Sequence, residues 1–191
     1  MRSEERSSLY FVKGGKGATD KLFKFVKSCA ERRGIRDFVV ASTTGTTGEK
    51  ASRIFKGYNL VVVTHHSGFA KPGRNELSDN HRRRMLANGA KILTGTHALS
   101  GVERAIRRKF STLGPVELVA STYRTFGQGT KVCVEVALMA ADAGLIPVNR
   151  DVISMAGTGR GADTALLLRA ATSSDFFDLK IREVIAKPLD F

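Results

Sequence analysis

The residues of this 191-residue chain best suited to chemistry fall in four clusters, each directly after a short apolar run. Ser42-Thr43-Thr44-Gly45-Thr46-Thr47 follows Phe38–Ala41, and His65-His66-Ser67-Gly68-Phe69 follows Leu60–Thr64. Thr94 and His97 close the run that starts at Lys91, and Gly157-Thr158-Gly159-Arg160-Gly161 follows Val152–Ala156. The first cluster offers five hydroxyls, and its glycine lets an anion approach backbone N–H groups at a helix start, a combination suited to phosphate. Arg160, between two glycines, can swing over a phosphate and bind it through two N–H donors. His65 and His97 can contact a phosphate or a sugar hydroxyl, or shuttle a proton. One of the adjacent pair His65 and His66 is expected to face the pocket. Phe69 can stack on a ligand ring, with core packing as the equal alternative.

Other chemistries find less support. The first cluster lacks the GxxxxGK[ST] spacing of a P-loop. No Asp, Glu or Cys falls where it could join the histidines as a metal ligand, so no metal is expected. Cys133 sits among valines, as an inert core thiol does. Glu135 and Asp142 share a helix face and are expected to pair with cations of a neighbouring helix. Asp163 is expected to cap or hold Arg160.

The elements that must position these clusters follow from hydrophobic pattern. Short apolar runs without alternation read as strands buried on both faces of a parallel sheet. Strands are predicted at Leu9–Val12, Arg36–Ala41, Leu60–Thr64, Ala90–Leu93, Val152–Ala156, Thr164–Arg169 and Val184–Ala186. Helices are predicted at 20–33 (with Thr19 as N-cap and Gly34 as stop), 49–55, 78–88, 101–110, 115–126 and 130–143. All four clusters then lie at carboxyl ends of strands, where open α/β sheets bind ligands.

The composition bounds the rest. A chain of this length forms one α/β domain, residues 1–191, without needing disulfides. Its two cysteines carry no metal or CxxC spacing, which fits a reducing, cytoplasmic setting. No apolar run is long enough for a membrane span. The net charge of +13 attracts phosphate-bearing partners. It is spread over helices, with Arg82–Arg84 and Arg104–Lys109 read as solvated faces. No groove-reading motif is present, so no specific nucleic acid is expected. Homo-oligomerisation stays open.

Ala41–Thr47, the helix after it and Leu60–Thr64 resemble the C-terminal domain of pyruvate kinase, where a similar loop holds a phosphate of the allosteric sugar bisphosphate. Gly157–Thr164 is similar to that domain's second effector loop. The sequence has no counterpart of the catalytic barrel. A resemblance over nearly the whole chain is to stand-alone proteins like that domain, mostly archaeal. It is carried by Val39–Ser42, Val62–His65 with Gly68-Phe69, Leu99–Arg104, Lys131–Glu135 with Met139–Asp142, and Arg160–Thr164. It implies a three-layer α/β/α sandwich with a mixed, mostly parallel five-stranded sheet, and flavin mononucleotide (FMN) as ligand, without implying a reaction. An oxidoreductase is one reading. A non-enzymatic domain sensing a sugar phosphate or nucleotide is a second, and a basic nucleic-acid-associated protein is a third.

Overall fold

The computed structural model describes residues 3–191. Seven strands form one sheet: β1 (Leu9–Lys13), β2 (Asp37–Ala41), β3 (Asn59–Thr64), β4 (Lys91–Thr94), β5 (Asp151–Ala156), β6 (Thr164–Arg169) and β7 (Lys180–Asp190). Their order is β1-β7-β6-β5-β2-β3-β4, parallel throughout except that β6 runs against both its neighbours. The expected α/β sandwich is therefore present, but its sheet has seven strands rather than five. The two extra strands are β1 and β7. Residues Leu9 to Lys13 add in register to β7, which runs for 11 residues where the sequence pattern marks only Val184–Ala186. Beyond that apolar core every residue of β7 except Pro188 is exposed or half-buried, so hydrophobic pattern alone cannot find its ends.

The helices are α1 (Thr19–Arg33), α2 (Thr46–Ile54), α3 (Asp79–Ala87), α4 (Glu103–Phe110), α5 (Pro115–Arg124) and α6 (Gln128–Asp142). Strand alternation sorts the core. Phe38 and Val40 of β2 point to one face, where they meet Leu22, Phe23 and Val26 of α1 and Phe55 after α2. Val39 points to the other face, among Val136, Met139 and Ala140 of α6. Both faces of β2, β3 and β5 are covered, which is why their sequences do not alternate. Helix α6 is buried over 12 of its 15 residues and forms the central pillar of its layer. By contrast α4 buries none of its residues.

Helix α1 starts one residue earlier than expected, with Ala18 rather than Thr19 at the cap. The Thr19 hydroxyl instead accepts the N–H of Ala162 (2.9 Å), tying α1 to the loop between β5 and β6. Among the described residues, no helix is long and apolar enough to cross a membrane.

Candidate functional site

The chain leaves β2, winds outward through β3 and β4, then returns to the other side of β2 as β5. Strand order thus reverses between β2 and β5, and a crevice outside their carboxyl ends is the expected ligand site of such a sheet. A cleft of about 1020 Å³ opens there. Its walls include Ser42, Thr43, Thr44, Thr46 and Thr47 from the β2–α2 loop, His65 and Phe69 after β3, and His97 after β4. Gly157, Gly159, Arg160 and Gly161 after β5 close it.

The β2–α2 loop is shaped by its own hydrogen bonds. The Ser42 hydroxyl accepts the Gly48 N–H (3.0 Å), and the Gly45 carbonyl accepts the Glu49 N–H (2.8 Å). These satisfy the third and fourth donors of α2 and leave the Thr46 and Thr47 N–H groups, at the positive end of the helix, for a ligand. Gly45 adopts φ +103° to start the helix. A side chain there would run into His81 and Leu77, not into the cleft. Gly45 therefore shapes the loop, and its own atoms are not among those lining the cleft.

His65, rather than His66, faces the cleft. Its Nδ1 lies 2.8 Å from the Glu76 carboxylate, to which it donates, and its Nε2 lies 3.3 Å from the Thr43 hydroxyl. His66 is half-buried beside Phe69 and His97 and bonds the Ser67 carbonyl (2.9 Å). Ser67 and Gly68 do not line the cleft. They form a turn in which the Gly68 N–H donates to the Arg74 carbonyl (2.8 Å). Thr94 also lies outside it, with its hydroxyl 2.7 Å from that of Thr64. The Phe69 ring packs against His65 (centroids 3.9 Å apart), near His97 (5.2 Å) and under the Arg104 guanidinium (4.2 Å). Phe69 thus belongs to a packed aromatic–guanidinium wall and is not a bare platform.

His97 is half-buried in that wall, and burial pushes its pKa down to about 4, with Glu135 opposing the shift and His65, His66 and Lys131 adding to it. It is neutral at pH 7. A histidine whose folded pKa lies below its unfolded value leaves the unfolded state with more protons as pH falls, so stability drops with it. Wild-type protein is expected to lose melting temperature between pH 6.5 and about 4, and a His97→Asn variant to lose less over the same window. Parallel thermal melts across that range check the difference.

The β5–β6 loop is held from behind. Asp163 is fully buried and accepts the Gly15 N–H (2.7 Å), the Thr158 N–H (3.0 Å) and the Thr164 hydroxyl (2.7 Å). It caps the loop but does not hold Arg160, which is exposed at the cleft. Thr158 turns the other way. Its hydroxyl is enclosed beside Gly14 with no partner among the described residues, so Thr158 drops out of the site.

Helix α6 forms the floor. Lys131 and Glu135 are both buried and paired at 2.6 Å, and Glu135 also accepts the Leu99 N–H (3.0 Å). Asp142 accepts the Ser173 N–H (2.7 Å). Neither acid pairs with a cation of a neighbouring helix, as the sequence had suggested. The Cys133 thiol lies at the sheet, 3.3 Å from the Ser154 carbonyl, and burial pushes its pKa far up, so it stays protonated and inert. Among the described residues no three His, Cys, Asp or Glu side chains gather as a metal site.

The sequence matches the family model described as "Pyruvate kinase, alpha/beta domain" over residues 20–168. The chain belongs to this family. The match runs from α1 to β6 and so contains all four loops that build the cleft. The basic side of the site is the part that the motif reading missed. Arg104, Arg107 and Arg108 of α4 and Arg124 of α5 line the cleft, together with Lys16 and Lys50. The arginine run of α4 reads as a solvated helix face, and its position right after the His97 loop was the signal that could have placed it at the sheet's carboxyl edge.

Proposed function

We propose that this pyruvate kinase α/β domain binds a phosphorylated small molecule in the cleft, with the phosphate against the β2–α2 loop, and that the ligand is FMN. One observation carries the reading. Unpaired N–H groups at the start of α2, the hydroxyls of Thr43, Thr44, Thr46 and Thr47, and Arg160 converge where strand order reverses. The rings of His65 and His97, 5.3 Å apart beside the loop, line the cleft and support a ligand with an aromatic part. The concentration of cations on the cleft fits a small anionic ligand better than a nucleic-acid surface.

Family membership favours a second reading, a regulatory domain that senses a sugar phosphate. Thermal shift separates the two. FMN at a hundredfold excess over its dissociation constant stabilises by about 2.7 kcal/mol, and melting should rise by roughly 5–10 °C. A rise with a sugar bisphosphate but not with FMN would move the assignment to the sensor. No rise with either would remove the phosphate site.

A further inference from the structure

The cations on the cleft outnumber what one phosphate needs, and the reason lies in two carboxylates. Glu117 of α5 accepts from Arg107 (3.2 Å) and Arg124 (2.9 Å). Glu103, one turn before Arg107, has the spacing of a helical ion pair. Its carboxylate is instead consumed at the start of α5, where it accepts the N–H groups of Val116 (3.1 Å) and Glu117 and Gly114 packs on it. Arg104 and Arg108 are left without a carboxylate partner among the described residues. The Arg104 guanidinium lies over the Phe69 ring, 4.2 Å from its centroid, a contact that consumes none of its N–H donors. Burial, followed by the neighbouring charges of Arg108 and Arg107, pushes its pKa below the ordinary value. An anion placed between these groups relieves that crowding. The cleft, at about 1020 Å³, lies at the upper end of single-ligand pockets, so there is space for one.

We infer that the cleft contains a second anion subsite, built by Arg104 and Arg108, which takes a carboxylate- or phosphate-bearing co-ligand beside the phosphate held at the β2–α2 loop. The inference deepens the proposed function and rests on it for the role of the first loop. It makes the domain a two-ligand site in which the phosphorylated molecule and an anionic reactant or effector sit together.

Calorimetric titration at low ionic strength tests it, with pyrophosphate and malonate as separate probes of phosphate and carboxylate chemistry. FMN-saturated protein is expected to bind at least one probe at one site. Arg104→Ala/Arg108→Ala should weaken that binding roughly tenfold or more, the loss of a charge-assisted hydrogen bond. Arg108→Glu, on the exposed side of a helix with no buried residue, should do the same without disturbing the fold. Displacement of the probe by FMN, or unchanged probe binding in both variants, would overturn the subsite. If FMN itself fails to bind, the proposed function falls, and pyrophosphate on ligand-free protein still decides the subsite. Binding lost in Arg108→Glu but kept in Thr46→Val/Thr47→Val supports it, and the reverse pattern refutes it.

Discussion

Replacing Glu135 by Ala should lower the melting temperature by roughly 6–20 °C. Glu135 and Lys131 sit one turn apart on α6, each with a side chain 6% exposed. Their attraction is strong because little water screens it, yet bringing both out of water costs nearly as much. Removing the carboxylate alone leaves the Lys131 ammonium buried without a counter-charge and the Leu99 N–H without an acceptor. Truncating one partner of such a pair costs about 3–5 kcal/mol, and each kcal/mol moves the melting point of a chain this size by about 2–4 °C. Lys131→Met/Glu135→Gln should recover most of the loss, since the Gln carbonyl can still accept from Leu99 and no charge stays buried. Thermal melts of the single and double variants decide it. A single variant within experimental error of wild type would mean that water reaches Lys131 through the cleft.

The second large effect is on binding. Arg160→Ala should weaken the phosphorylated ligand by about ten- to a hundred-and-fifty-fold, the value of one hydrogen bond between charged groups at 1.5–3 kcal/mol. It should also flatten the salt dependence of binding, because one screened charge interaction is gone. The melting temperature of the ligand-free protein should hardly move. Arg160 is exposed, and the buried acid beside it, Asp163, is saturated by Gly15, Thr158 and Thr164. Early unfolding with normal affinity would make Arg160 structural and confine the phosphate to the β2–α2 loop.

Much of this site was legible because buried parallel strands write themselves plainly. Val39, Val40, Val61, Val62 and Ile153 mark their strands by unbroken apolar runs, and the loops after them fall on one edge by topology alone. What the sequence hid were facts of direction. Gly45 and Thr158 belong to loops that line the cleft, but a Cβ at Gly45 points at His81 and the Thr158 hydroxyl points at Gly14. Local sequence sets a loop's place in the chain and not the side on which each residue emerges. The arginines of α4 were hidden for a different reason. An amphipathic helix with no buried residue looks the same whether its basic side meets water or a cleft. Only the tertiary path of the chain after His97 distinguishes the two. Glu103 shows the same limit, since its spacing to Arg107 suggests an ion pair that the start of α5 takes away.

The claim that phosphate is the anchor of the ligand is tested most directly by titrating the protein in parallel with FMN and riboflavin, which share the ring and ribityl chain and differ only in the phosphate. Flavin fluorescence follows both. FMN is expected to bind at least about tenfold more tightly, from one or more charge-assisted hydrogen bonds at the start of α2 and Arg160. Equal affinities for the two flavins would contradict the account, because the loop after β2 would then hold no phosphate.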